Sequence, residues 1–376
     1  VADPEANEGV LRVRTIGGMT QGSLSATSSS GDSVSAASTA TSTTASTAAD
    51  PGPRWWVTAG WIAHWILRVW LALVLLVYGW PKVFLMQMGV ADYGDALTAF
   101  GEMSPMGFLW RFMAFSPVVQ VLAGLAEVIA AALLLFRRTA WLGGLLAAAA
   151  MAVVFLLNMT FDVPVKQLSL AMAVAGLVVA APWFARVGRI LAGRPVPAAT
   201  LPTPIPWPRG QRVTRWTGPI LAVVAVCVPG AALGVMAASG GTQSAFSQVA
   251  GVYRVVEDTA SPAEQLADDD RWQQVAFGQH GADRARLGLR LANGDFYDGR
   301  YSVDGEVITV ELYPVREGTY GLVRDPERTL TLTWSPAPGG MALSGDGVDV
   351  TLAEDPEFRY LFDRGFHWAP TTPVNR

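Results

Sequence analysis

Five stretches of about twenty residues with few charges recur along this chain, at 57–79, 112–136, 139–160, 167–185 and 217–238. Each is long enough to cross the ~30 Å hydrocarbon core of a bilayer as a helix. In that medium a helix satisfies all its own backbone N–H and C=O groups, which irregular chain cannot do. The fifth stretch contains Pro229 and Gly230, so a kink is expected, with neighbouring groups re-satisfying the freed carbonyl. Fourteen Trp and a charged fraction of only 15% fit the membrane class.

The arginines give the spans a direction. Arg54 precedes the first, Arg137 and Arg138 separate the second from the third, and Arg186, Arg189, Arg194, Arg209, Arg212 and Arg215 lie before the fifth. The remaining loops carry Lys82, Arg111 and Lys166. Positive residues mark the cytoplasmic side, so the N-terminus is expected inside and everything after the fifth span outside, in a multi-pass protein of the cytoplasmic membrane. Residues 1–53 lack the apolar core of a signal peptide, and from Ser23 to Ala49 they are almost entirely Ser, Thr, Ala and Gly, which reads as a disordered cytoplasmic tail. The expected order is this tail, a four-helix domain at 54–190, a Pro-rich cytoplasmic linker at 191–216, a fifth transmembrane helix at 217–238 and an outer domain at 245–376.

The outer domain changes period. In Arg286-Leu287-Gly288-Leu289-Arg290-Leu291 and again in Thr329-Leu330-Thr331-Leu332-Thr333-Trp334 the apolar residues fall at every second position, as in strands with one buried face. Turn signals at Asn293-Gly294-Asp295, Asp304-Gly305 and Gly345-Asp346-Gly347 separate such runs. About eight strands at meander spacing predict a lipocalin-like barrel, because closure removes exposed edges. The domain holds 21 acidic and 12 basic residues, a net charge of −9, which argues against a nucleic-acid partner. Asp268, Asp269 and Asp270 lack calcium-loop spacing and read as a solvated loop.

Within the spans, ionisable residues carry the functional question, since a charge at the membrane centre is costly unless paired or used. Counted from the flanking arginines, Arg68 and Glu127 fall near the midplane of the first two spans, and His64 shares a helical face with Arg68. Two readings stay open: a salt bridge fastening two helices, or a polar cavity in which Arg68, His64 and Glu127 meet a quinone carbonyl, a proton or a headgroup. Trp61 and Trp65 lie beside that face, as packing or as a stacking surface. Lys82, Arg111, Asn158, Asp162 and Lys166 form a second group at the outer ends of the spans, as interfacial anchors or as the mouth of the same cavity. Phe366, His367 and Trp368 would be a costly exposed patch in a free terminus and are expected to dock on the barrel mouth or the outer helix ends. Cys227 is the single cysteine, which excludes an intramolecular disulfide, a CxxC pair and a Cys-ligated metal site, and three scattered histidines make no metal cluster. No GxSxG, GxxxxGK[ST], HExxH or strand-following GxGxxG is present, so no catalytic residues are assigned.

Arg68 followed by Tyr78-Gly79-Trp80-Pro81-Lys82, then Gly124-Leu125-Ala126-Glu127, an aliphatic run and Arg137-Arg138, resembles the DoxX family of small bacterial membrane proteins over residues 55–186. The closing Asp363-Arg364-Gly365-Phe366-His367-Trp368 and Pro373-Val374-Asn375-Arg376 resemble a subgroup that joins this helix unit to an extracytoplasmic β domain. The resemblance implies a membrane protein associated with redox-linked complexes. Three roles follow: a non-catalytic subunit or scaffold of such a complex, the preferred reading; a quinone-interacting oxidoreductase component, with quinone as its cofactor; or a carrier of a small ligand in the outer barrel. The expected partners are the lipid bilayer and subunits of the redox complex.

Overall fold

The computed structural model describes residues 55–197, 207–239, 247–281, 284–315 and 325–365. The expected N-terminal tail, most of the Pro-rich linker and the docking of Phe366, His367 and Trp368 lie outside the described residues.

Five helical segments are long and apolar enough to cross a membrane. They are α1 (Trp55–Val83), α3 (Pro117–Leu135), α4 (Ala140–Thr160), the run of α5 (Lys166–Ala180) into α6 (Phe184–Leu191), and α7 (Pro208–Ser239). α1 packs on α3, α3 on α4, α4 on α5, and α5 returns to α1, which closes a four-helix unit. Leu71, Leu75, Leu134, Met172 and Val179 fill its centre.

Two boundaries differ from the sequence expectation. The second apolar stretch is broken at Ser116: α2 (Pro105–Phe115) ends there and α3 begins. Pro117 causes the break, because it has no N–H to give and its ring clashes with the preceding turn, whereas at the first position of a new helix both features are harmless. α7 starts at Pro208, so Arg209, Arg212 and Arg215 form its first turns instead of ending a linker. Close to Pro229, Trp80 Nε1 donates to Val226 O at 3.1 Å, and the Trp80 ring lies over Gly230.

Small residues set the helix spacing. Gly144 and Gly176 face each other across α4 and α5, and a Cβ on Gly176 would come within 2.6 Å of Gly144 O. Gly79 of α1 lies against Gly124, Glu127 and Val128 of α3 in the same way. Such close backbone approach is how helices associate where apolar burial gives no advantage over lipid.

The outer domain is a closed, eight-stranded antiparallel barrel in meander order: β1 (Gly251–Asp258), β2 (Trp272–Phe277), β3 (Ala285–Leu291), β4 (Phe296–Asp304), β5 (Val307–Pro314), β6 (Arg328–Ala337), β7 (Gly340–Gly345) and β8 (Val348–Glu354). β1 pairs with both β2 and β8, so no edge is left open. Leu287, Leu289 and Leu291 turn inward with Phe277, Ile308, Leu312, Leu332, Leu343 and Leu352, and these side chains fill the interior. A short α8 (Tyr360–Asp363) follows the last strand.

Replacing Gly176 by Ala drives a methyl into the α4 backbone and is expected to cost about 1–3 kcal/mol, the usual range for overpacking. Gly60, with nothing within 4 Å of a built Cβ, is the control. Thermal unfolding in detergent should show a lowered midpoint for Gly176→Ala and an unchanged or raised one for Gly60→Ala.

Candidate functional site

Glu127 does not meet Arg68. Its carboxylate takes Lys82, whose Nζ lies 2.9 Å from both Oε1 and Oε2 and 3.2 Å from Tyr78 O. The ammonium's three donors are thereby used, and the pair is buried, with side chains 8% and 2% exposed. The physical reason is the register of α1 on α3. With Gly79 seated against Gly124 and Glu127, the last turn of α1 reaches the middle of α3, and Arg68 lies fourteen residues, or ~21 Å of helix, further back. Counting depth from flanking arginines treats the two helices as level, and they are not.

Lys82 is therefore no outer anchor, and the expected outer cluster divides: Arg111 bonds elsewhere, while Asn158, Lys166 and Asp162 stay linked through Ser169, whose Oγ donates to Lys166 O at 2.8 Å. Arg111 Nε donates to Asp95 at 2.9 Å, Asn158 Nδ2 to Ser169 Oγ at 3.1 Å, and Lys166 Nζ to Asp162.

Past Lys82 the chain leaves the helix at Leu85, which has φ 56°, and rises along α3 without regular structure. Gln120, fully buried in the first turn of α3, makes this tolerable by accepting from Met88 N at 3.1 Å and donating to Gly89 O at 2.9 Å. The loop then meets the barrel wall. Val252, Ala276 and Gly288 are cross-strand neighbours on β1, β2 and β3, and the turn at Gly94 sits on this shallow stripe; a Cβ on Gly288 would come within 2.9 Å of Gly94 O.

Charges fasten that contact. Arg286 Nη1 reaches Asp95 Oδ2 at 2.6 Å, so Asp95 is held by Arg111 from α2 and Arg286 from the barrel together. Arg290 grips both oxygens of Glu102, at 2.6 and 2.8 Å, donates to Leu97 O, and lies 4.7 Å over the Phe296 ring. Asp92, 3% exposed, accepts from Gly94 N at 2.8 Å and His280 N at 3.1 Å. Arg359 stacks on Tyr93 and donates to its hydroxyl, which in turn donates to Asp363 Oδ1. Burial raises the Asp92 carboxyl above the usual range, against the lowering effect of Gly94 N–H; the Arg290 hydrogen bonds lower Glu102 below it.

Asp92, Asp95, Glu102, Arg286 and Arg290 make the contact between loop and barrel, and sequence reasoning missed them. The signal was the outward phase of β3, where two arginines flank a glycine, but no local pattern names their partners. The acidic run is also resolved: Asp269 is bidentate with Arg271, Asp270 lies 3.5 Å from Arg328, and no metal-holding group of His, Cys, Asp or Glu occurs among the described residues.

His64 and Arg68 lie elsewhere. His64 Nε2 is 3.0 Å from Val179 O of α5, and its ring packs with Trp61 and Trp183. An open cleft of about 660 Å³ lies here, lined by Trp61, His64, Leu67, Val178 and Pro182 among others. A second, of about 710 Å³, opens at the barrel end between Tyr253, Trp334, Met341 and Glu354. Neither is lined by Arg68, Lys82 or Glu127.

Two outcomes follow. Lys82→Met leaves a buried carboxylate unpaired and is expected to cost about 3–5 kcal/mol, whereas Lys82→Met with Glu127→Leu should recover most of it; a double-mutant cycle on detergent stability measures this. For Glu102 the folded pKa is depressed, so its stabilisation is complete above the ordinary carboxylate range and lost as pH falls through the lowered value. Hydrogen exchange in 92–104 should be faster in Glu102→Gln than in wild type at neutral pH, with the difference vanishing in acid. Asp92 runs the other way and favours the acid end.

No family model matches the chain, and no solved structure matches it. Over 113 residues it is 32% identical to the uncharacterized protein YwoB of Bacillus subtilis (strain 168), an overlap of 30% of this chain and 70% of the relative. By that coverage the chain belongs to the family of YwoB.

Proposed function

We propose that this is a DoxX-like multi-pass protein of the plasma membrane that acts as a non-catalytic subunit or scaffold of a redox-linked membrane complex. Its role is to hold a β-barrel in a fixed pose on the outer face. One observation carries the reading: the barrel is fastened to the helix unit through Asp95 and Glu102, with Arg286 and Arg290 as the matching hooks. A tethered domain that moved freely would need no such joint. The arginines at the turn between α3 and α4 and in α6 and α7 support a cytoplasmic position for that end of the bundle by the positive-inside bias. The loop and the barrel then share the outer side, since an even number of crossings separates the end of α1 from the end of α7.

The quinone-linked reading loses its support from the geometry. It requires Arg68 and Glu127 to face one cavity, and Lys82 already neutralises Glu127 at a distance from Arg68. The carrier reading keeps one specific observation, the 710 Å³ cleft at the barrel end, although the interior behind it is filled.

Purification in mild detergent followed by mass spectrometry separates these roles: stoichiometric membrane proteins are expected for the scaffold, a retained small apolar ligand for the carrier. Recovery of a bound quinone would revive the oxidoreductase reading. For orientation, Leu266→Cys in a Cys227→Ser background places a thiol at a residue 70% exposed on the barrel. An impermeant maleimide should label it in intact cells, and labelling only after lysis reverses the topology.

A further inference from the structure

Arg68 is 6% exposed, and its Nε is buried without a hydrogen-bond partner. A guanidinium is not discharged in a protein, so in an apolar bundle it demands an anion. The described helical part does not supply one. Its acidic residues are Asp92, Asp95 and Glu102 in the loop after α1, Asp162 in the turn between α4 and α5, and Glu127. Three are held by arginines or backbone at the barrel contact, and Asp162 and Glu127 are taken by Lys166 and Lys82. The end of the bundle near Arg68 carries arginines instead. Arg137 in the turn between α3 and α4 is near enough to repel Arg68, and Arg138, Arg186 and Arg189 lie in the same turn or on α6.

We propose that Arg68 binds the phosphate of an anionic phospholipid from the leaflet at this end of the bundle. The unpartnered Nε belongs to the guanidinium edge that grips two phosphate oxygens. A lipid, more than a free anion, suits the place because an apolar seat lies beside it. His64 presents the same face one turn away, and with Leu67, Trp61, Val178 and Pro182 it lines the open 660 Å³ cleft between α1 and α5, a mostly apolar surface that suits an acyl chain. Basic groups between transmembrane helices near a membrane surface are the usual setting for acidic headgroups. The inference needs only that the helices span a bilayer, and it stands or falls apart from the scaffold reading.

The test uses the full chain in detergent, with native mass spectrometry and thermal unfolding as readouts and phosphatidylglycerol, phosphatidylcholine and inorganic phosphate as probes. Wild type should retain phosphatidylglycerol roughly five- to tenfold more tightly than phosphatidylcholine, because the two share the phosphate but the choline cation of the second cancels its charge beside an arginine. Arg68→Gln should lose that preference, while Arg189→Gln, at an exposed site on α6, should keep it. Equal retention of the two lipids, or a preference that survives Arg68→Gln, overturns the proposal. So does inorganic phosphate alone reproducing the lipid's stabilisation, which makes the site one for a free anion. Should Arg68→Gln fail to fold, photocrosslinking of wild type with headgroup-labelled phosphatidylglycerol decides: adducts are expected within 64–72 of α1 or at the turn between α3 and α4, and adducts confined to other segments refute it.

Discussion

The ion pair between Lys82 and Glu127 fixes where α1 stands against α3, and the rest of the outer half follows from that register. Two charges in a bundle interior repay their desolvation only if they meet at good geometry and their remaining donors are satisfied. Here both carboxylate oxygens and Tyr78 O receive the ammonium. Sliding α1 by one turn in either direction would strand both groups, so the pair specifies register more surely than the aliphatic contacts around it. It also stops α1 near the middle of α3, which obliges the next ten residues to rise beside α3 without a helix. Gln120 carries that cost.

The loop that results is a joint as well as a connection. It leaves α3 at Gln120, lies across the small residues Val252, Ala276 and Gly288 of the barrel wall, and is gripped by Arg286 and Arg290. A glycine on each side is required, because neither Gly94 nor Gly288 has room for a Cβ. Helix unit and barrel each close on their own apolar core, and the charged contacts add a defined mutual pose. Among the described residues, the buried charges Lys82, Glu127 and Asp92 lie along one line from the middle of α3 up through the loop to β3, while Asp269 is held apart by Arg271.

Arg68 stands outside that line. The sequence places it in an apolar span beside a carboxylate of similar nominal depth, and the inference of a pair was natural. Among the described residues no carboxylate meets it, and the proposed lipid contact would make it a link to what surrounds the protein instead of a fastener inside it.

Much of the architecture was legible in the residues themselves. Span length follows from apolar composition, and the barrel from the two-residue alternation of Leu287, Leu289 and Leu291, because both are local consequences of matching side chains to solvent. The outward phase of the same strand, Arg286 and Arg290, was equally visible, but only the folded chain brings Asp95 and Glu102 to it from nearly two hundred residues away. Likewise the sequence alone determined that charges lie within the membrane spans and must be compensated. Which charge compensates which was decided by tertiary structure, since helix offset depends on how closely Gly79 and Gly124 let two backbones approach, and no count of residues from a flanking arginine contains that distance.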